Sequence, residues 1–344
     1  MKRLIILGIL FVGACAPVPA GPRNLTVMAH DSFSVSESVI QQFQAANQAS
    51  VAFLKSGDAG AALNKAILTR DSPLADVFFG VDNTFLTRAL ESGIFEAYVS
   101  PALAGIPAEF QLDPQHRLLP VDYGDVCINY DKGYFASHAL AVPANLEDLI
   151  HPEYRGLLVV ENPATSSPGL AFLLASVKHF GDPGYLEYWK DLRRNAVVVV
   201  DGWETAYYTN FSGSSGRGPQ PLVVSYATSP AAEVMFAEAP LTDAPTASIV
   251  GPDTCFRQVE FVGILKGTKQ PDLARRFVDF MLSNQFQADV PAQMFVYPVL
   301  PGISLPDAFT QYAQVPPQTA VLDPREIAQN RDRWIKAWAD VTLQ

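Results

Sequence analysis

The sequence predicts an α/β protein built as two lobes. Three observations lead there. Strand and helix signals alternate along nearly the whole chain, the pattern of a largely parallel α/β sheet. The 344 residues exceed what one compact core holds and suit two. Polar loops fall repeatedly after the carboxyl ends of the strands, the edge at which open α/β sheets bind ligands.

The elements follow in order. Asn24 to Ala29 is a strand running into His30-Asp31-Ser32-Phe33. Ser34, with Glu37 three residues on, reads as a capping box that starts a helix through Val39, Ile40 and Phe43. Val51 to Leu54 is a second strand, followed by Ser56-Gly57-Asp58 and a helix from Ala61 to Leu68. Asp76 to Phe79 is a third, ending in Gly80-Val81-Asp82-Asn83 before a helix from Phe85 to Leu90. Leu157 to Val160 leads into Glu161-Asn162-Pro163, and Leu222 to Val224 leads into Ser225-Tyr226. Between them, Ser212 to Pro219 reads as a flexible surface loop. Val259 to Leu265 is a late strand, and a helix from Pro271 to about Leu282 turns Leu273, Phe277, Phe280 and Met281 to one face. The last helix starts near Asp323-Pro324 and spaces Ile327, Trp334, Ile335 and Trp338 for core packing.

Composition narrows the function. A formal net charge of -11 argues against nucleic acid and anionic lipid surfaces and in favour of cationic ligands. At the N-terminus, Lys2-Arg3 precedes the apolar run Leu4 to Val12 and then Gly13-Ala14-Cys15. That is a charged region, a short apolar region and small residues at a cleavage site. Nine apolar residues fall short of the ~20 a spanning helix needs. The Val-Gly-Ala-Cys ending resembles a bacterial lipobox, which would make Cys15 a lipid anchor. Ordinary secretion with cleavage after Ala20 is the alternative. Ala16 to Arg23, with its three prolines, reads as a tether. Export leaves Cys127 and Cys255 where disulfides form, and their separation decides neither pairing nor free thiols.

No motif for catalysis is present. The histidines at 30, 116, 138, 151 and 179 lack metal-ligand spacing. There is no Gly-x-Ser-x-Gly elbow, Gly-x-Gly-x-x-Gly turn or phosphate loop. An exported hydrolase built around Thr165-Ser166-Ser167 is the enzyme alternative, and a receptor is the expected class.

Several blocks, in one order, point further: His30-Asp31-Ser32-Phe33, Ala75-Asp76-Val77 through Asp82-Asn83, and Asp122-Tyr123-Gly124. Then come Asn162 to Leu170, Gly202-Trp203-Glu204, Ser225 to Pro230 and Val296-Tyr297-Pro298-Val299. Over nearly the whole mature chain the sequence resembles the thiamine-binding substrate-binding proteins of ABC importers. The resemblance implies a type II periplasmic-binding fold, with each lobe a mixed sheet flanked by helices and the lobes joined by crossover strands. It divides the chain into leader and tether (1–23), first lobe (24–124), second lobe (125–255) and the return to the first lobe with C-terminal helices (256–344). It further implies thiamine or a thiamine phosphate as ligand, no cofactor, a membrane permease as partner, and a location on the outer face of the cytoplasmic membrane. Running crossover strands side by side, it makes a Cys127–Cys255 bridge an expectation.

Matched block by block, the resemblance implies ligand contacts at Asp58-Ala59, Ser166-Ser167, Trp203 and Tyr226-Ala227-Thr228-Ser229. The chemistry is suitable. Trp203 and Tyr226 offer ring faces to a flat cation, worth ~0.5–2 kcal/mol each, although each could instead be a core aromatic. Asp58 is either a countercharge or the N-cap of the next helix. Ser166-Ser167-Pro168-Gly169 opens a helix whose amides suit a hydroxyl or phosphate. Asp31, Asp82 and Asp125 are further acidic candidates with capping or hinge roles as alternatives. The chain departs from some relatives by carrying His30 for tyrosine, Ser34-Val35-Ser36 for a loop with tryptophan, Ala232 for tyrosine and Phe295 for tryptophan. Its site is thus poorer in aromatics, and His30 and Phe295 are the substitutes. Ferric iron is an alternative ligand through Tyr207-Tyr208, although helical neighbours point about 100° apart. A polyamine is another.

Overall fold

The computed structural model describes residues 23–343, so the leader, the tether and Cys15 lie outside the described residues. Eleven strands form one sheet: β1 (Arg23–Ala29), β2 (Ala49–Lys55), β3 (Val77–Asp82), β4 (Phe95–Glu96), β5 (Leu119–Asp131), β6 (Leu158–Glu161), β7 (Val198–Val200), β8 (Leu222–Tyr226), β9 (Thr246–Ile249), β10 (Phe256–Leu265) and β11 (Tyr297–Pro298). The order is β2-β1-β3-β10-β5-β8-β6-β7, with β4 on β10 and both β9 and β11 on β5.

This order makes two lobes. β2, β1 and β3 run parallel on one side, and β8, β6 and β7 run parallel on the other. The long strands β5 and β10 join them. β10 lies antiparallel to β3 and to β5, and β5 continues antiparallel to β8. A strand serving two sheets must be long and buried, and β5 is 13 residues with its first nine positions almost all buried. Cys127 and Cys255 form a disulfide beside the Val126–Phe256 pairing, where the crossovers meet.

Helices cover both faces. The last helix, Pro324–Thr342, buries Ile327, Trp334 and Trp338. It lies against the helix Gly184–Arg194, where Trp189 meets Trp338 edge to face at 5.6 Å. The helix Pro271–Met281 buries Leu273, Phe277 and Met281, with Phe280 at its margin. Among the described residues, no helix is long and apolar enough to cross a membrane.

Three expectations need correction. Ser34 and Glu37 form no capping box, because the helix Glu37–Asn47 begins after Ser36. The Ser34 hydroxyl donates to Gln293 Oε1 at 3.0 Å, and the Ser36 hydroxyl donates to Asp289 Oδ1 at 2.5 Å. A carboxylate from a distant helix displaced the local cap, a competition invisible to a local pattern. Second, the helix expected from Ala61 starts at Ala59, because Asp58 caps it by accepting the Ala59 N–H at 2.7 Å. Third, Ser212–Ser215 is a helical turn, not a plain flexible loop. Its Ser212 hydroxyl is held by Asp131 Oδ2 at 2.6 Å.

Candidate ligand-binding cleft

A cavity of about 550 Å3 lies between the lobes at the carboxyl ends of the strands. Each wall comes from the loop after a strand. His30 follows β1, Asp58 and Ala59 follow β2, Ser167 and Pro168 follow β6, Trp203 follows β7, and Tyr226 ends β8. The helix Ser229–Met235 adds Ser229 and Glu233, the crossover β10 adds Gln258 and Glu260, and Phe295 closes the far side.

Trp203 and Tyr226 face this shared space with ring centroids 6.5 Å apart. The indole N–H of Trp203 donates to the Ser225 hydroxyl at 2.9 Å, and Tyr207 stacks on its ring at 4.9 Å. The indole is therefore anchored by its polar edge, as a half-buried tryptophan requires. Tyr226 lies across β5, where Gly124 makes room. A Cβ there would come within 2.8 Å of the Tyr226 ring.

Asp58 connects the lobes. Oδ1 accepts from Ala59, and Oδ2 accepts the Trp203 N–H at 3.0 Å. Burial raises its pKa, and the Trp203 and Ala59 amides act against that rise. The Gly60 and Ala61 amides donate to the Thr165 carbonyl at 3.0 and 3.2 Å, so the same helix start is held at a second point.

The floor carries a carboxylate cluster around one imidazole. His30 Nε2 is 3.4 Å from Glu260 Oε1. Burial pulls the His30 pKa down, but Glu260, then Asp58 and Asp31, outweigh it and raise it. Asp122 faces Glu260 across the β5–β10 pair. Burial first, and the Glu260 charge second, push its carboxyl well above the usual range, because two like charges set opposite each other cannot both ionise cheaply. Glu161, fully buried with no hydrogen-bond partner for its carboxyl, is likewise pushed well up.

The sequence candidates divide accordingly. His30, Asp58, Ala59, Ser167, Trp203, Tyr226, Ser229 and Phe295 line the cavity. The others sit behind it. Asp31 accepts the Gly57 N–H at 2.8 Å, and Asp82 accepts from the Ser167 hydroxyl and the Thr84 N–H. Asp125 pairs with Arg257 through two bonds of 2.9 Å. Ser166 is buried, with its hydroxyl beside Asp58, whose pKa it acts to lower. Ala227 packs on the disulfide, and the Thr228 hydroxyl donates to the Phe295 carbonyl.

Sequence reasoning missed Glu233, Phe236, Gln258 and Glu260, and set the tyrosine pair aside. Tyr207 and Tyr208 both line the cavity, Tyr207 buried and Tyr208 half-exposed with the two rings at 86°. Residues Thr205–Asn210 form a turn of π-helix, and the Phe211 N–H reaches back five residues to Ala206 at 2.9 Å. For Glu233 a signal existed, since Ser229, Ala232, Glu233 and Phe236 recur at helical spacing and share the cavity wall. Among the described residues, no group of three or more His, Cys, Asp or Glu side chains is arranged to hold a metal ion.

Two lobes on paired crossover strands around an aromatic and acidic cleft are the architecture of a solute-binding protein. Residues 72–335 match the family model for bacterial extracellular solute-binding proteins, and the chain belongs to that family. It is 31% identical over 328 residues to the thiamine-binding periplasmic protein of Escherichia coli (strain K12), with 94% of each chain covered. Among solved structures it is similar to a periplasmic thiamin binding protein, with a TM-score of 0.81, 28% identity and coverage of 93% and 96% of the two chains. A ferric binding protein from Campylobacter jejuni shares the fold at a TM-score of 0.74 and 18% identity, covering 92% and 99% of the two chains.

Proposed function

We propose that this protein is the substrate-binding subunit of an ABC importer, capturing thiamine between its lobes and handing it to a membrane permease. The observation that carries the reading is the shared cleft. Trp203 and Tyr226, with Tyr207 and Tyr208 beside them, line one cavity together with Asp58, Glu204, Glu233 and Glu260. Ring faces and carboxylates around a slot suit a flat, permanently charged heterocycle. The similarity to thiamine-binding relatives over 94% of the chain supports the same reading. The division at residues 124/125 and 255/256, export to the periplasm and lipidation at Cys15 belong to this proposal. Mass spectrometry of the membrane fraction would detect a diacylglyceryl-modified Cys15.

Calorimetry of the ligand-stripped soluble domain tests the ligand. Thiamine should bind at micromolar strength or better, and Trp203→Ala should weaken it about tenfold, within the range of one cation–π contact with its packing. Tight binding of spermidine with none of thiamine would sink the assignment. Ferric iron is the second reading, favoured by Tyr207 and Tyr208 both reaching the cleft. Adding ferric citrate should leave the visible spectrum unchanged, and a phenolate-to-iron absorbance band would overturn the vitamin reading.

A further inference from the structure

The cleft has a marked charge imbalance. Four carboxylates line it: Asp58, Glu204, Glu233 and Glu260. Among the described residues, His30 is the one basic side chain on its wall, and His30 already faces Glu260 at 3.4 Å. Asp58 accepts one backbone N–H on each oxygen. Glu233 is different. It projects from the helix Ser229–Met235 into the cavity, where its Oε1 accepts from the Tyr207 hydroxyl at 2.7 Å. Tyr207 in turn stacks on Trp203 at 17° between planes, and Tyr208 stands edge-on to Trp203 at 5.4 Å. On the same helix face Ala232 presents only a methyl. A carboxylate held by a tyrosine within a cluster of ring faces is a cation subsite.

We propose that Glu233, positioned by Tyr207 and framed by Trp203 and Tyr208, is a specificity-determining residue that makes the cleft select unphosphorylated thiamine over its phosphate esters. The inference rests on the thiamine reading and deepens it. A phosphate ester adds negative charge that must share about 550 Å3 with these carboxylates, between protein walls where repulsion exceeds that in bulk water. The N-terminus of the helix Ser167–Phe180 would ordinarily suit an anion. Here the fully buried carboxylate of Asp82 lies against that end, accepting from the Ser167 hydroxyl, and sets a negative charge against an anion there. Specificity then comes as much from repelling the ester as from holding the cation.

The test is calorimetry of the soluble domain at about 0.1 M salt, the ionic strength at which screening reaches ~10 Å. The probes are thiamine, thiamine monophosphate and thiamine diphosphate. The parent protein should bind thiamine at least tenfold more tightly than either ester. Glu233→Gln should weaken thiamine about tenfold and the monophosphate less, narrowing the ratio, while Glu233→Asp keeps part of the preference. A merely structural role for Glu233 would weaken both ligands alike and leave the ratio fixed, which overturns the proposal. So does equal or tighter binding of the monophosphate by the parent. Should Glu233→Gln melt early, Glu233→Asp reads the same ratio. If the folded parent binds no form of the vitamin, the thiamine reading fails and this inference with it. If thiamine binds but the ratio is one, only the inference fails.

Discussion

Replacing Asp82 with asparagine should stabilise the protein at alkaline pH and flatten the dependence of its stability on pH. Asp82 ends β3 fully buried, with Oδ1 accepting the Thr84 N–H at 2.6 Å and Oδ2 facing the Ser167 hydroxyl of the opposite lobe. Burial, acting against those hydrogen bonds, pushes its carboxyl from an ordinary 3.8 up to about 6. Below 3.8 both folded and unfolded chains carry the proton. Between 3.8 and about 6 only the folded chain holds it, so stability falls through that window as pH rises. Above about 6 the deficit is complete. At about 1.4 kcal/mol per decade, the gap is worth about 3 kcal/mol.

His30, Asp58, Asp122 and Glu161 are also raised, so each acts in the same direction, His30 at pH above its ordinary 6.5. The parent should therefore be more stable near pH 5 than at pH 8. Asparagine keeps an acceptor for Thr84 and a partner for Ser167 but cannot ionise. Loss of the charge-assisted hydrogen bond offsets part of the gain, leaving roughly 1–3 kcal/mol at pH 8 and little at pH 4. Urea unfolding followed by circular dichroism, parent against variant from pH 4 to 8, measures the difference. Parallel curves would refute the reasoning, because they would mean that Asp82 does not hold a proton in the folded chain at pH 5.

Two further perturbations probe the crossover and the lobe contact. Cys127 and Cys255 lie 128 residues apart, so reduction should cost about 2–4 kcal/mol; an unchanged urea midpoint with reductant would show that the bridge contributes little. At Gly60 an added Cβ would lie 2.9 Å from the Thr165 carbonyl oxygen and 2.8 Å from the Phe85 ring. Gly60→Ala should therefore weaken thiamine about tenfold or more by hindering the lobe contact and lower the melting temperature by crowding the buried Phe85 ring; unchanged affinity would mean that this contact does not govern closure.

The sequence made the architecture readable because periodicity and the strand-end loops are local signals. β1, β3, β6 and β8 fall where apolar runs sit, and the loops after β1, β6 and β8 carry walls of the cleft. What stayed hidden is what distant residues impose. The cap at Ser34 was lost to Asp289 and Gln293, more than 250 residues away. Both members of the tyrosine pair reach the cleft from a turn wound wider than an α-helix. Asp82 and Asp125 carry the residue type of a binding carboxylate, yet each is held behind the cavity by partners from other elements. Glu260 looked like one residue of a buried strand, and only the pairing of β10 with β5 and the approach of His30 give it a place on the floor.

Asp58 shows why contact with the cleft and recognition of charge need separate accounts. Both of its oxygens accept protein N–H groups, one of them from the opposite lobe at Trp203. A carboxylate so engaged holds two surfaces together, and its charge is largely answered by those amides. Removing it would weaken a neutral ligand as much as a charged one, because any ligand depends on the free-energy difference between closed and open lobes. Charge selectivity must therefore reside in carboxylates whose partners leave their charge facing the slot. Glu260 is matched by His30, whereas Glu233 is held by a neutral tyrosine hydroxyl. A hydroxyl orients a carboxylate without neutralising it, and that leaves Glu233, beside the exposed Glu204, as the charge the proposal sets before the ligand.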